Sequence, residues 1–255
     1  MLTLKTPLEK GSKKLINAWA FYDWANSVYS LVISSAIFPI YFGALFSEIN
    51  TISFLSYDIK NTAVISFVTA SAFLIVSFIS PILSGIADYI GNKKKFMKFF
   101  VYLGSVSCVG LYWFELETIY LGLLFYFLAL IGLWSSIVFY NSYLPDIAFP
   151  EQQDRVSARG YSYGYIGSVT LLLFNLVMVM QPELFGIEGS KNEASMTAMK
   201  YSFISVGIWW ALFSQYSFYF LPKSNHEVKV TKDIFWNGYK ELNLVWRQLK
   251  GIIRI

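Results

Sequence analysis

Charge is what this chain has least of. Asp, Glu, Lys and Arg together make up 14% of its 255 residues, while hydrophobic residues make up 56%. A soluble domain of that length needs more polar surface than this composition supplies. There is one cysteine, Cys108, and one histidine, His226. A lone cysteine excludes an intrachain disulfide and says nothing about compartment. With one histidine there is no His/Cys cluster at metal-ligand spacing, so no metal site is expected. Phosphate-binding loops are missing too: there is no G-x-x-x-x-G-K-[ST] segment, and "GYSYGYIG" at 160–167 has the wrong spacing for a dinucleotide turn. No nucleophile–base pair falls within the apolar runs. These absences argue against an enzyme, an ATP-driven pump or a cofactor-dependent protein.

What the chain has in abundance is long apolar runs. They lie at roughly 17–46, 61–87, 96–114, 118–141, 160–181 and 197–221. A helix needs about 20 mostly apolar residues to cross a bilayer core, whereas a strand of a membrane barrel needs only about 10. The pattern therefore predicts an all-α membrane protein with six transmembrane helices over 1–222. The first run is too long for a cleaved signal peptide. Residues 223–255 are polar, then amphipathic. Trp236, Tyr239, Trp246, Leu249 and Ile253 interleave with Lys232, Lys240, Arg247, Lys250 and Arg254. That spacing predicts a basic helix lying on a lipid surface.

Basic residues near span ends set orientation, with Lys and Arg kept on the cytoplasmic side. Assigning the connecting segments to alternate sides puts 17 of the 20 basic residues on one side and only Lys60, Lys191 and Lys200 on the other. Both ends are expected in the cytoplasm. The net charge of +4 thus reflects topology, and no nucleic-acid partner is expected.

Asp23 is the one ionisable residue well inside a run. A buried membrane charge costs about 2.5–3.5 kcal/mol at mid-bilayer on insertion scales, so such residues usually face a cavity or a partner. Asp23, Ser27, Ser30 and Ser34 recur at intervals of four, three and four, which makes a polar stripe along one helix face. Two readings stand: a transport path, with Asp23 as a coupling site, or an interfacial aspartate above serines that merely allow close packing. Asn26 and Tyr29 flank the stripe, and Asn141 and Asn175 are further polar candidates. Ser66, Thr69, Ser77, Ser80 and Ser84 share a face of the second run, read first as packing. Gly160 and Gly164 have the small-xxx-small spacing of close helix contacts. Pro39 predicts a kink in the first span. Tyr22, Trp24 and Tyr41 read as interface anchors.

The segment "SGIADYIGNKKK" at 84–95 gathers scarce charge between the second and third runs. It resembles the signature loop of the major facilitator superfamily, G-x-x-x-D-R-x-G-R-[RK], which also joins spans two and three. Asp88 and Gly91 match its aspartate and second glycine, Lys93 its final basic position, and Lys94 extends it. Ser84, Tyr89 and Asn92 depart from the pattern. "WAFYDWANSVYS" at 19–30, "FPIYF" at 38–42, "FYNSYLPDIA" at 139–148 and "RVSARGYSYGYIGS" at 155–168 are similar to the vacuolar amino-acid effluxer-like branch of that superfamily, in its bacterial type.

The resemblance implies an amino-terminal half, six helices of a twelve-helix fold, followed by the start of the cytoplasmic segment that joins the two halves. A separate six-helix half is then an expected partner, along with membrane lipid, a small-molecule substrate and a proton or other ion. The chain is expected to be a piece of a longer carrier rather than a half-size subunit. By the same resemblance, spans one, two, four and five line a central cavity. Asp88, Gly91, Lys93 and Lys94 would form a cytoplasmic gate. From the residues themselves, the linker 142–159 has two readings: Asp146 pairs with Arg155 or Arg159 as a second cytoplasmic gate, or the segment is an ordinary solvated loop. The expected function is secondary active transport of a small solute, by analogy an amino acid, in a bacterial inner membrane. The alternative is a non-transporting sensor or assembly protein that retains the fold.

Overall fold

The computed structural model describes residues 8–54, 57–90 and 93–222, the side chains of residues 54 and 86–90 excepted. Gly91 and the basic segment 223–255 fall outside the described residues, as does the side chain of Asp88.

The first span is one rod in three pieces: α1 (Lys13–Val28), a π-helical stretch (Tyr29–Ile37) and α2 (Phe38–Leu45). A short antiparallel hairpin follows, β1 (Thr51–Phe54) paired with β2 (Tyr57–Lys60), in the connection between the first two apolar runs. Then come α3 (Asn61–Ile90), α4 (Lys93–Gly110), α5 (Ile119–Ser142), the single turn α6 (Leu144–Ile147), α7 (Pro150–Met180) and α8 (Lys191–Phe220). Ser190 and Glu193 cap α8 reciprocally. Those hydrogen bonds hold the Glu193 carboxyl below the usual range.

Five of the described helices are long and apolar enough to cross a membrane: Lys13–Leu45, Asn61–Gly85, Lys93–Trp113, Ile119–Ile147 and Pro150–Met180. The sixth expected span, α8, is 30 residues long. It carries Lys191, Glu193, Lys200, Gln215 and several serines, which dilute its apolar character. The fifth span begins ten residues earlier than its hydropathy suggests. The expected linker 142–159 holds α6 and the first turns of α7. Pro150 starts α7 where a missing N–H costs nothing, and Gln152 Oε1 accepts the Phe149 N–H at 3.1 Å. Arg155 and Arg159 therefore stand on a helix and not in a loop.

α8 packs against α1, α4 and α7; α4 packs along α5; α1 packs along α7; and α3 leans mainly on α5. Glycines set the closest approaches. A Cβ on Gly132 of α5 would sit 2.5 Å from the Gly104 backbone nitrogen of α4, and one on Gly207 of α8 would sit 2.5 Å from the Ser105 carbonyl oxygen. Aromatic rings fill the space between: Trp210, Tyr22, Tyr29, Tyr41, Phe114 and Phe203 are all essentially buried. Tyr22 and Tyr41 are thus core residues rather than interface anchors. The Tyr22 hydroxyl donates to Ser136 Oγ at 2.8 Å, and that of Tyr41 donates to the Phe114 carbonyl. Each hydroxyl has a partner inside the bundle and needs no water. Trp24 is also held by the bundle, stacked 5.5 Å from Trp209. In contrast, α3 leaves Phe67 and Phe78 66% and 71% exposed.

Candidate functional site

The site lies on the seam between α1 and α7. Gly160, Gly164 and Gly167 on α7 let the two helices approach until the α1 side chains touch α7 backbone. A Cβ on Gly160 would fall 2.5 Å from Asp23 Oδ2 and 3.0 Å from the Tyr140 hydroxyl; one on Gly164 would fall 2.5 Å from Ser27 Oγ; one on Gly167 would fall 2.8 Å from the Trp24 carbonyl oxygen. Into this narrow seam α5 delivers Tyr140. Its hydroxyl donates to Asp23 Oδ2 at 2.9 Å. Its ring stacks on Trp19 with centroids 4.2 Å apart, and its carbonyl accepts the Trp19 indole N–H at 2.9 Å. Asp23 is the eleventh residue of the 33-residue first span. At about 1.5 Å per residue it stands about 15 Å from the start of that helix. Asp23 is half-buried, with the Tyr140 hydroxyl as its donor among the described residues.

Beside it, α7 and the π-helical stretch enclose a groove of about 260 Å³ lined by Ser27, Ser30, Leu31, Ser35, Tyr161, Gly164, Tyr165 and Ser168. The polar stripe expected from the sequence is present through Ser30 and then shifts. The stretch Tyr29–Ile37 is π-helical, with N–H groups bonded five residues back. Ser35 takes the place expected for Ser34, and its Oγ donates to the Ser30 carbonyl at 2.8 Å. The π stretch ends at Ile37, just before Pro39, which has no N–H to continue an α-helical ladder. The expected disturbance of the helix at Pro39 is therefore a widened turn on its amino-terminal side.

The other expected path residues part from this groove. Asn26 is buried and does not line the groove, its Oδ1 accepting from Ser27 Oγ at 3.3 Å. Tyr29 is buried against Trp210 of α8, with ring centroids 6.2 Å apart. Asn175 is buried between α7 and α8, accepting from Ser205 Oγ at 2.9 Å. Asn141 is exposed near the end of α5. Asp23, Ser27 and Ser30 are the three that come together. Sequence reasoning missed Tyr140, Ser35, Tyr161, Tyr165 and Ser168. The 160/164/167 glycine spacing was the signal that α7 would lie close to a neighbour, but it did not say which one.

At the end of the bundle that carries Lys93, α6 acts as a junction. Lys93 Nζ pairs with Asp146 Oδ2 at 3.1 Å and donates to the Ser142 carbonyl at 3.3 Å. Asp146 thus pairs with Lys93, the first residue of α4, rather than with Arg155 or Arg159, because α7 carries both arginines away along its own axis. Arg159 donates to Asn17 Oδ1 at 2.6 Å instead, and Arg155 is exposed. Lys94, 5% exposed, donates to the Leu221 carbonyl at the end of α8. Lys10 Nζ and the Gly11 N–H donate to the Pro145 and Ile147 carbonyls at 2.6 and 2.8 Å. Among the described residues no cluster of three His, Cys, Asp or Glu is arranged to hold a metal ion.

The chain was compared with known families and proteins. The family model described as "Vacuole effluxer Atg22 like" matches residues 11–153 and 149–255. An uncharacterized MFS-type transporter, YxiO, of Bacillus subtilis (strain 168) is 32% identical over 239 residues, covering 92% of this chain and 52% of the relative. An uncharacterized protein of Aquifex aeolicus (strain VF5) is 31% identical over 176 residues, covering 68% of this chain and 41% of the relative. The chain thus spans about half the length of the curated relatives it matches. No solved structure matches it. With its apolar helices and a match that runs through both of its halves, the chain is an integral membrane protein that belongs to the Atg22-like vacuole effluxer family, related to the transporters of the major facilitator superfamily.

Proposed function

We propose that this chain is one half of a secondary active carrier that moves a small solute by alternating access, with α8 as the sixth span of a six-helix repeat. The observation that carries the reading is the Asp23–Tyr140 pair beside a hydroxyl-lined groove on the α1–α7 seam. A carboxylate placed within a span is expensive unless it serves a path or a partner, and here it is half-buried with the Tyr140 hydroxyl as its donor. Carriers of this type build their site between two such repeats. A second six-helix half would cover the exposed faces of α3 and α7. Small amino acids are the substrate guess by family alone. Asp23 is the proposed coupling site for a proton or another ion.

The test is solute accumulation by the full-length protein in proteoliposomes. Asp23→Asn keeps the shape of the side chain and removes its charge change. Gradient-driven accumulation should be lost, while exchange of solute across the membrane persists in part. Accumulation in the variant equal to that of the parent overturns the coupling role. The proposed orientation places both ends in the cytoplasm of a bacterial inner membrane. Cys108 is the one cysteine of this chain and is buried, so a thiol introduced into the 255-residue chain can be read against it. A membrane-impermeant reagent added outside should label Ser53→Cys in the hairpin and leave Lys95→Cys untouched.

A further inference from the structure

The hydroxyl that meets Asp23 comes from α5, a helix that packs mainly along α4 and α3. Two side chains of α1 pack on the Tyr140 ring: Trp19, with centroids 4.2 Å apart and planes 14° apart, and Tyr22, at 4.9 Å and 44°. All three residues are buried. Trp19 also holds the backbone behind the ring. Tyr140 lies in the last turn of α5, where carbonyls run out of partners along the helix. Its oxygen accepts the Tyr143 N–H at 3.1 Å and the Trp19 indole N–H at 2.9 Å, which uses both lone pairs. Trp19 therefore grips Tyr140 twice, by ring and by carbonyl. It stands four residues before Asp23, on the same face of α1. Tyr22 is tied to α5 at another point, donating to Ser136 Oγ at 2.8 Å. With its carbonyl and its ring both held, the Tyr140 side chain keeps its hydroxyl at one place, 2.9 Å from Asp23 Oδ2.

Resting on the reading of Asp23 as the coupling site, we propose that Trp19 is its positioning residue, setting the proton affinity of Asp23 through the Tyr140 hydroxyl. A hydrogen bond donated to a carboxylate is made mainly to its charged form, so its strength enters the proton equilibrium directly. A bond to a charged group changes that equilibrium about ten- to hundredfold. The gain depends on aim, since hydrogen bonds weaken steeply once the angle at hydrogen falls below about 120°. A ring free to turn would lose most of it. The neighbouring helix leaves this task to Tyr140: α7 turns Gly160 and Gly164 toward Asp23, and Arg159 gives its guanidinium to Asn17 Oδ1 at 2.6 Å. Filling space does not call for an indole here. A phenylalanine would fill the stack, but it has no N–H for the Tyr140 carbonyl.

The experiment is a pH titration of the full-length protein in lipid vesicles, followed by infrared difference spectroscopy, with protons as the only ligand. The Asp23 carboxyl band is the one that Asp23→Asn removes. Tyr140→Phe should move the midpoint of that band by about one to two pH units. Trp19→Leu should move it the same way, by about half a unit or more. Trp19→Phe, which keeps a ring in the stack, should move it the same way and less, and it carries the test should Trp19→Leu fail to fold. Either Trp19 change combined with Tyr140→Phe should move the midpoint no further than Tyr140→Phe alone, because the indole acts through that hydroxyl. Phe203→Leu, in the core against Tyr41, should lower the melting temperature and leave the midpoint in place. A midpoint that ignores both Trp19 variants overturns the proposal. So do shifts from Trp19 and Tyr140 that add in full, or a spectrum in which Asp23→Asn removes no band. If Asp23→Asn abolishes gradient-driven accumulation while the midpoint ignores Trp19, the positioning role fails and the coupling reading stands. If the midpoints shift as expected while Asp23→Asn still accumulates solute, the coupling reading fails and Trp19 stands as the residue that positions the pair.

Discussion

At the scale of single residues, the contrast between Gly160 and Gly132 separates function from stability. Both would place an added Cβ about 2.5 Å from another atom. At Gly160 the obstacles are the polar tips of Asp23 and Tyr140, which can swing aside. Gly160→Ala should therefore change the melting temperature little, since the helix-propensity gain of about 1 kcal/mol offsets part of the crowding. It should cut transport at least tenfold, because the Asp23–Tyr140 pair cannot keep its geometry. Uptake equal to that of the parent would show that this pair is ornamental. Tyr140→Phe is the gentler companion. It removes only the hydroxyl donated to Asp23 and keeps the 4.2 Å stack on Trp19. Uptake should fall roughly ten- to hundredfold, in line with the loss of one hydrogen bond to a charged group.

At the scale of elements, the α4–α5 contact is made of backbone and cannot yield. A Cβ on Gly132 would meet the Gly104 nitrogen, its Cα and the Phe100 carbonyl oxygen, all within 2.8 Å. Overpacking of this kind costs about 1–3 kcal/mol, and a rigid obstacle puts Gly132→Ala at the upper end. Gly43 is the control. It lies on the exposed side of α2 with nothing within 4 Å of an added Cβ, so Gly43→Ala should stabilise slightly through helix propensity. Thermal unfolding of the two variants in one detergent measures both. Equal midpoints would mean that α4 and α5 are not in close contact in solution. The π-helical stretch is the other informative element. It lies where the groove opens, and Ser30, Leu31 and Ser35 of this stretch line it.

At the scale of the whole molecule, α6 ties the amino-terminal segment, the start of α4 and the start of α7 to one end of the bundle. The Lys93–Asp146 pair that anchors it is partly open to solvent, at 20% and 48% side-chain exposure. Pairs of that kind contribute about 0–1 kcal/mol. Asp146→Asn should therefore leave the melting temperature within a degree or two. If the junction forms in one state of the carrier and opens in another, the same change should alter the turnover rate several-fold with little effect on solute affinity. The charge-swapped double variant Lys93→Asp/Asp146→Lys should recover part of that rate. A matched fall in affinity and stability, with no rescue by the swap, would make the pair a simple structural staple.

Hydropathy and charge placement, read from the sequence alone, determined that this is an α-helical membrane protein, where its apolar helices lie, and that Asp23, Ser27 and Ser30 share a face. Those properties are local: a 20-residue apolar run and a spacing of three or four residues need no knowledge of neighbours. The same local reading set α7 ten residues late, because Pro150–Arg159 is polar and hydropathy measures solvent preference rather than backbone conformation. It also placed Tyr22 and Tyr41 at the membrane surface, because a phenol looks amphipathic until a partner such as Ser136 is known. Only the tertiary structure decided that Tyr140 meets Asp23 across 117 positions, that Asp146 chooses Lys93 over Arg155 and Arg159, and that Asn175 faces α8 and leaves the groove. Each of these depends on which helix faces are pressed together. The glycines on α4, α5, α7 and α8 settle that by permitting backbone contact at a few places, and a single chain's helical periodicity carries no record of the partner.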